Sequence, residues 1–183
     1  MAVSSPICNF GEKSHDFSLK STEGKLVNLN DIKGENGYLI TFICNHCPYV
    51  KAIIKFLVND VKYLESIGIK SVAIMSNDTN NYPEDSFENM WKFAKENNFS
   101  FPYLYDEDQK VAKKYGAVCT PDFFGYNKNS ELQYRGRILN ARKLEPILTR
   151  DTELKKAMKL IFETGKGPQE QVPSMGCGIK WYK

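Results

Sequence analysis

The sequence predicts an α/β domain in which a central mixed β-sheet is flanked by helices. Two short apolar runs, at residues 38–43 and 69–75, have the length and the composition of buried strands. Between them, apolar residues recur at steps of three and four, as they do on one face of an amphipathic helix. A strand, a helix and a second strand in this order predict a right-handed βαβ unit with parallel strands.

A β-hairpin is expected before this unit, because residues 16–19 and 26–29 flank the turn sequence Ser21-Thr22-Glu23-Gly24. Within the unit, Gly68 stands just past the predicted helix, at a position where helices commonly end. The apolar face of that helix is predicted to comprise Val50, Ile53, Ile54, Leu57, Val61 and Leu64.

The second half of the chain continues the alternation of helices and strands. The predicted elements are a helix around residues 87–94, a strand over residues 99–105, a short helix that ends at Gly116, a hairpin over residues 123–134 and a helix over residues 154–165. Asp106 and Gln109 are expected to form a capping box at the start of the short helix. Residues 1–183 are expected to form one domain, on which residues 166–183 pack as an irregular C-terminal tail.

Charge and hydropathy argue against several classes of partner. The formal net charge is +3 and basic residues alternate with acidic ones, so we expect no nucleic-acid partner. No apolar stretch approaches the roughly 18 residues of a membrane span, and residues 1–6 lack the basic and apolar segments of a signal peptide. We therefore expect a cytoplasmic protein without a membrane partner.

The five cysteines are odd in number, which argues against a framework of structural disulfides. Two of them belong to Cys44-Asn45-His46-Cys47, which lies between the first buried strand and the helix. A helix N-terminus presents unpaired N–H groups, and a cysteine pKa there can fall from ~8.5 to ~3.5–7.5. Pro48 suits the first turn of such a helix. This position predicts a redox-active Cys-x-x-Cys centre.

We expect Cys44 to be the attacking thiol, because it lies at the strand end, and Cys47 to resolve from one turn further in. Asn45 and His46 are expected to tune the pair, since a cationic imidazole would favour the Cys44 thiolate. The alternatives are an exposed turn histidine, a purely structural pair of thiols and a zinc site. A zinc site needs four ligands, whereas only His15 and single cysteines remain. We therefore expect no metal and no other cofactor.

Three motifs carry a resemblance to a known superfamily. They are Phe-Ile-Cys-Asn-His-Cys-Pro-Tyr-Val at residues 42–50, Cys-Thr-Pro-Asp-Phe-Phe-Gly at residues 119–125 and Gln-Tyr-Arg-Gly-Arg at residues 133–137. Through them, nearly the whole chain resembles the thioredoxin superfamily, in its TlpA-like and peroxiredoxin-like branch of AhpC/TSA-type redoxins. It is most similar to bacterial peroxiredoxin-like members that end in Gly-Cys-x-Ile-Lys-Trp.

The resemblance implies a thioredoxin fold with the N-terminal hairpin as an extension and a further strand and helix inserted. It also implies a cis peptide bond before Pro121, and a Thr120 backbone that faces Cys44 and binds an extended substrate strand. The implied activity is dithiol–disulfide exchange by Cys44 and Cys47 with protein or small thiol partners. Because His46 adjoins the pair, we expect a potential above the roughly −270 mV of thioredoxin.

A thiol peroxidase with antioxidant activity is the main alternative. The peroxiredoxin pattern Pro-x-x-x-Thr-x-x-Cys is half present, because Thr41 precedes Cys44 by three residues while Gly37 occupies the proline position. Arg135 would supply the arginine that peroxide binding needs, unless it is a solvated strand residue. A thiolate copper carrier is a lesser alternative, since no histidine follows His46.

Three further expectations concern single residues. Thioredoxins carry a buried acid on the strand before the pair, but residues 38–43 contain none, so no proton acceptor for Cys47 is assigned. Cys119 is expected to be a core residue and not a redox partner. Cys177 is expected to be a small residue in a packed turn rather than an extra resolving thiol. The apolar side chains expected to dock from the tail are Met175, Ile179, Trp181 and Tyr182.

Overall fold

The computed structural model describes residues 2–142 and 144–183. Its helices are α1 Leu29–Ile32, α2 Pro48–Ser66, α3 Phe87–Glu96, α4 Lys110–Tyr115 and α5 Glu153–Thr164. Its strands are β1 Ala2–Ser4, β2 Ser18–Ser21, β3 Leu26–Asn28, β4 Gly37–Phe42, β5 Ile69–Met75, β6 Tyr103–Tyr105, β7 Cys119–Thr120, β8 Asp122–Asn127, β9 Leu132–Tyr134, β10 Ala141–Arg142, β11 Glu145–Pro146 and β12 Met175–Gly178. A 3₁₀ turn, Pro83–Asp85, precedes α3.

The central sheet is mixed, as the sequence predicts. Strand β2 pairs antiparallel with β3 and β6, β6 pairs parallel with β5, and β8 pairs antiparallel with β4 and β9. Strand β4 lies beside β5, because the Ile43 N–H donates to the Ile74 carbonyl at 3.0 Å. The Thr41 hydroxyl donates to the Val72 carbonyl at 2.9 Å. The residue numbers of the hydrogen-bonded partners increase in the same direction along both strands, so β4 and β5 run parallel.

Helices pack on both faces of this sheet, and strand β4 shows how the sequence divides the core. All residues of β4 are buried, and successive side chains point to opposite faces. Leu39 joins the apolar cluster formed with α2 and α5. Ile40 and Phe42 join the cluster formed with α1 and α4. The buried strand therefore reads as a continuous apolar run rather than an alternating one.

Helix α2 follows the prediction closely. It begins at Pro48, and Gly68 follows its end with a φ of +74°, a left-handed conformation that glycine adopts readily. The six positions predicted for its apolar face are all buried. None of the helices among residues 2–142 and 144–183 is long and apolar enough to cross a membrane.

Two local predictions are wrong. The predicted strand over residues 99–105 shortens to β6, because Pro102 has no N–H to donate to a strand ladder. The capping box at α4 does not form, since the Gln109 amide donates to the carbonyls of Ser76 and Lys180, both at 2.7 Å. The Asp106 carboxylate instead accepts two N–H groups within the first turn of α4.

The C-terminal tail is more regular than predicted. Its strand β12 lies between β1 and β7 in a separate three-stranded sheet. Of the apolar side chains expected to dock, Ile179 is buried, whereas Met175 is 54% exposed and Trp181 and Tyr182 are also exposed. The tail is therefore held largely by backbone hydrogen bonds rather than by the predicted apolar contacts.

Candidate active site

The Cys-Asn-His-Cys segment connects β4 to α2, so the sheet and the helix fix both of its ends. Cys47 is the N-cap of α2, and Pro48 supplies the first helical position. Both thiols are free, and Cys44 and Cys47 are only 1% and 0% exposed. Both side chains lie in the core next to α2, so exposure hardly distinguishes the two thiols.

Thr120 closes the site from the opposite side. The Thr120–Pro121 peptide bond is cis, as the resemblance implied. The Cys44 sulfur lies 3.3 Å from the Thr120 hydroxyl, and the Cys47 thiol donates to the Thr120 carbonyl at 3.2 Å. The backbone of Thr120 therefore faces Cys47, whereas Cys44 meets its side chain.

A buried carboxylate that the sequence analysis missed lies under the loop. Asp85 is 0% exposed and comes from the 3₁₀ turn before α3. Its Oδ1 accepts the N–H groups of Asn45 at 2.8 Å and His46 at 3.3 Å. Its Oδ2 accepts the Asn77 side-chain amide at 2.8 Å. Asp85 is a buried acid within 4.8 Å of the Cys44 sulfur, but it is distant in the sequence and no motif marks it.

The two residues between the cysteines are held firmly. The Asn45 side-chain oxygen accepts the Tyr103 hydroxyl at 2.9 Å. His46 stacks on Tyr82, with ring centroids 5.8 Å apart, and its Nδ1 lies 2.7 Å from Asp85 Oδ2. That contact is an ion pair when the imidazole is protonated, but it is not an aligned hydrogen bond. His46 thus faces a carboxylate, whose charge offsets the expected effect of the imidazole on the Cys44 thiolate.

Electrostatics favour Cys47 as the thiolate. Its pKa falls to about 5, chiefly because the Cys44 thiol donates a hydrogen bond to it, and burial only partly opposes this. The Cys177 thiol and the backbone N–H groups of Val50 and Cys177 lower the pKa further. Hydrogen bonding to an ionised sulfur stabilises the charged form, so these donors act in the same direction.

Cys44 is affected in the opposite direction. Its pKa is raised above the ordinary range, first by its hydrogen bond to Cys47, then by burial and by the negative charge of Asp85. The Thr120 hydroxyl only partly compensates. These pKa directions favour charge on Cys47, whereas the position at the strand end led us to expect the attacking thiolate at Cys44. The identity of the attacking thiol stays a prediction.

Three of these side chains are close enough to share a metal ion. Ligand atoms of Cys44, His46 and Asp85 all lie within 4.8 Å of one another. An imidazole, a thiolate and a carboxylate form a donor set that suits Zn²⁺. An ion there would have to separate the His46–Asp85 pair, and the Asp85 carboxylate already accepts three hydrogen bonds. The Asp85 carboxylate is therefore already engaged by hydrogen bonds to the loop between the cysteines. The expectation of no metal stays a prediction.

The residues that a peroxidase would need lie elsewhere. The Thr41 hydroxyl is occupied by the Val72 carbonyl and does not face the thiols. Arg135 is buried, where it pairs with Asp122 at 2.9 Å and donates to the Gly116 carbonyl at 2.7 Å. Its guanidinium lies 4.4 Å from the ring centroid of Phe124. Both expectations for Arg135 are therefore wrong, because it is neither beside the pair nor solvated.

The remaining cysteines differ in their surroundings. Cys119 is fully buried, as predicted, and burial raises the pKa of its thiol. Cys8 is half-buried, and burial raises its pKa to about 11. Cys177 is also half-buried, but it lies in β12 opposite Thr120 and packs against the apolar cluster that contains Cys47. The prediction that Cys177 occupies a packed turn is wrong, since it belongs to a strand beside the redox pair.

The sequence profile of the AhpC/TSA family matches residues 10–139, a range that holds the cysteine pair, Thr120 and Pro121. The chain belongs to the AhpC/TSA family. This AhpC/TSA chain is also 27% identical over 122 residues to thiol-disulfide oxidoreductase ResA of Bacillus subtilis (strain 168). The match covers 67% of this chain and 64% of ResA, which is less than two thirds of that relative.

Solved structures extend the similarity of this AhpC/TSA protein to its full length. An uncharacterized conserved protein from Geobacillus kaustophilus is 41% identical with a TM-score of 0.94, and 100% of this chain and 97% of that chain are covered. The thioredoxin domain of a thiol-disulfide oxidoreductase from Bacteroides vulgatus is 16% identical with a TM-score of 0.59. It covers 69% of this chain and 86% of its own, and it shows that the fold is thioredoxin-like.

Proposed function

We propose that this AhpC/TSA protein is an enzyme that exchanges disulfides through Cys44 and Cys47, with protein or small thiols as partners. The observation that carries the proposal is the position of two free thiols at the start of α2, 3.3 Å from the hydroxyl and 3.2 Å from the carbonyl oxygen of Thr120, where the pKa of Cys47 falls to about 5. A thiol with that pKa is ionised at neutral pH, and the thiolate is the species that attacks disulfides. The family and the name of the ResA relative support this chemistry.

The reaction proceeds in two exchanges. The Cys47 thiolate attacks a partner disulfide, forms a mixed disulfide and releases the first partner thiolate. Cys44 then loses its proton and attacks the Cys47 sulfur, which forms the Cys44–Cys47 disulfide and releases the second partner thiolate. Asp85 lies within 4.8 Å of the Cys44 sulfur, and we assign it as the acceptor of that proton. The reverse sequence oxidises a partner dithiol.

Trapping identifies the attacking thiol. In a variant that combines Cys44→Ser with Cys177→Ser, a disulfide-bearing peptide should remain attached to Cys47, because neither neighbouring thiol is left to resolve the mixed disulfide. Cys47→Ser should trap little, and Cys8→Ser, which changes a half-buried thiol outside the pair, should turn over normally. Trapping by Cys47→Ser alone would restore the sequence-based assignment to Cys44. If neither variant trapped the peptide and the wild type failed to reduce it, the proposed function would be wrong.

A peroxide assay addresses the alternative function. Because neither Thr41 nor Arg135 faces the pair, we expect hydrogen peroxide to be consumed far more slowly than a disulfide peptide is reduced. Peroxide consumption at the rate of disulfide exchange would favour the peroxidase with its antioxidant role. That result would also require another residue to stabilise the leaving hydroxide.

A cytoplasmic location, with a reducing pool of protein and small thiols, is part of the same proposal. The odd number of cysteines supports a reducing compartment, where free thiols persist. Cell fractionation followed by thiol alkylation tests it. Recovery of the protein from the cytoplasm with most thiols alkylated is expected, and recovery from an oxidising compartment would contradict it.

A further inference from the structure

The chain's own C-terminal strand occupies the backbone edge beside the redox pair. Strand β12 pairs antiparallel with β7, with Cys177 opposite Thr120 and Gly178 opposite Cys119. The approach is close at Gly176, where a Cβ atom would lie 1.9 Å from the Thr120 carbonyl oxygen. Only glycine fits there. The edge on which the resemblance placed a substrate strand is therefore already filled by the tail.

The tail is anchored on both sides of Cys177. On one side, Ser174 donates its hydroxyl to the Pro121 carbonyl at 2.7 Å and its N–H to the Ser5 hydroxyl at 3.0 Å. On the other side, the Lys180 N–H donates to the Asn77 side-chain oxygen at 2.9 Å. Asn77 also donates to Asp85, so the tail and the loop share one hydrogen-bond network.

Cys177 combines closeness to Cys47 with access to solvent. It lies opposite Thr120, whose hydroxyl is 3.3 Å from the Cys44 sulfur and whose carbonyl oxygen is 3.2 Å from the Cys47 sulfur, and it packs against the apolar cluster that holds both cysteines. Cys44 and Cys47 are 1% and 0% exposed, whereas Cys177 is half-buried. A large partner can therefore meet Cys177 directly, while the pair itself lies behind the anchored strand.

We propose that Cys177 is a third redox residue, which carries the disulfide from the buried Cys44–Cys47 pair to the protein surface. The Cys177 thiolate attacks the Cys47 sulfur, so that a Cys47–Cys177 bond forms and the Cys44–Cys47 bond breaks. Cys44 leaves as a thiolate and takes up the proton that Cys177 lost. The number of disulfides is unchanged, so this step needs no further oxidant.

The second step transfers the disulfide to the partner. One thiolate of a partner dithiol attacks Cys177, and Cys47 leaves as a thiolate. The second partner thiol then attacks the partner sulfur of the mixed disulfide, which oxidises the partner and releases Cys177. A thiol of low pKa leaves readily, so Cys47 is suited to depart in this step. The step rests on the proposed exchange activity of the pair and extends it to large partners.

The reduced state explains why Cys177 does not compete with Cys47 before oxidation. Burial raises the pKa of Cys177 to about 11, and the hydrogen bond and charge of Cys47 raise it as well. Once Cys47 is in a disulfide, its sulfur carries no charge. Burial is then the main cause that still raises the pKa of Cys177. The Cys177 thiol therefore ionises more readily beside the Cys44–Cys47 disulfide than beside the reduced pair.

Disulfide mapping tests the relay in the full-length protein. The reduced wild type is oxidised with one equivalent of oxidised glutathione, quenched in acid, alkylated and digested. We expect peptides linked through Cys47–Cys177 together with peptides linked through Cys44–Cys47. The variant Cys44→Ala leaves the tail untouched, and its oxidation should give the Cys47–Cys177 bond. Exclusive Cys44–Cys47 linkage in the wild type, or persistent glutathione on Cys47 in the variant, would overturn the relay.

Kinetics separate the relay from the underlying activity. Oxidised wild type, Cys177→Ser and the matched control Cys8→Ser are each mixed with a reduced dithiol peptide and, separately, with dithiothreitol. We expect Cys177→Ser to lower the rate with the peptide about tenfold more than the rate with dithiothreitol, and Cys8→Ser to match the wild type with both reductants. Equal rates for Cys177→Ser and wild type would refute the relay and leave the exchange activity standing. Failure of the wild type toward both reductants would refute the proposed function itself.

Discussion

At the scale of single residues, the cysteine pair derives its asymmetry from what each sulfur faces. Cys47 receives donors from Cys44, Val50 and Cys177, whereas Cys44 faces the Asp85 carboxylate. The two positions are similar in sequence terms, since both lie at the junction of β4 and α2. The difference arises from Asp85, which precedes α3, and from Cys177 in the tail, so a local motif alone does not show which sulfur carries the charge.

The first ionisation of the reduced pair should therefore belong to Cys47. Thiolate absorbance in the near ultraviolet should rise with a midpoint near pH 5 in the wild type. Cys47→Ala should abolish that transition, and Cys44→Ala should shift its midpoint upward because the largest stabilising donor is lost. A low-pH transition that survives in Cys47→Ala and disappears in Cys44→Ala would contradict the assignment.

Removal of the Asp85 charge should make the pair more oxidising. In Asp85→Asn a negative charge beside the pair is removed, so the reduced state with its thiolate is stabilised and the reduction potential should rise by about 30 mV, a tenfold change in equilibrium. Equilibration with glutathione buffers measures the shift. Glu84→Gln, which removes an exposed neighbouring charge, should leave the potential unchanged, and equal shifts in both variants would show a nonspecific charge effect.

At the scale of secondary structure, one hydrogen-bond chain connects the two helices on the same face of the sheet. The Thr152 hydroxyl donates to the buried Asp60 carboxylate in α2. The same oxygen accepts the Lys155 N–H at 2.9 Å, so Thr152 is also the N-cap of α5. The side chain thus begins one helix and joins it to the other.

Thr152→Ala should destabilise the fold by about 1–2 kcal/mol, because it removes the N-cap and leaves the Asp60 carboxylate without its donor. Urea unfolding measures the loss at neutral pH. Thr149→Ala removes an exposed hydroxyl outside α5, and its midpoint should stay close to that of the wild type. If the two variants were equally stable, the Thr152 hydroxyl would contribute nothing to the free energy of unfolding.

Elements with a strong apolar period could be predicted from the sequence, and those stabilised by distant backbone could not. The three- and four-residue spacing of apolar residues predicts α2, and the apolar run at residues 69–75 predicts β5. Both predictions agree with the observed bounds within a residue or two. Strand β12 contains two glycines and no apolar period, and it is extended because β1 and β7 supply its hydrogen bonds. Asp85 escaped prediction for the same reason, since only the fold brings it to the loop.

Motif alignment was least informative about side-chain direction. Thr41 has the spacing of a peroxidatic threonine, but its hydroxyl faces the carbonyl of Val72 on the next strand. Arg135 follows β9 in a segment that resembles the expected motif, yet it turns toward Asp122 under the sheet. The spacing of residues in the sequence does not determine the orientation of either side chain. Each orientation depends on which strand lies alongside in the fold.

At the scale of the whole molecule, two buried carboxyls should make stability depend on pH. Burial raises the pKa values of Asp60 and Asp122 to about 6, from an ordinary value of 3.8. The folded state therefore binds these protons more tightly than the unfolded state. Their stabilising contribution is complete below the unfolded pKa and is lost as the pH rises through the folded pKa, between about pH 4 and pH 6.

Asp60→Asn should remove its share of this dependence. Relative to the wild type, the variant should gain up to about 3 kcal/mol of unfolding free energy between pH 4 and pH 7, because its amide does not ionise. Urea titrations at a series of pH values measure the difference. Parallel stability curves for the two proteins would show that Asp60 ionises at its ordinary pKa in the folded state.

The strand order β1–β12–β7 has a consequence for the nascent chain. Among the described residues, β1 pairs with β12 alone, so β1 stays unpaired until the ribosome has released β12. Until then β7 also lacks this neighbour, and Cys47 lacks the nearby Cys177 that helps to lower its pKa. Release of β12 is therefore the step that completes the thiol site, and a chain stalled before β12 would carry an unshielded cysteine pair.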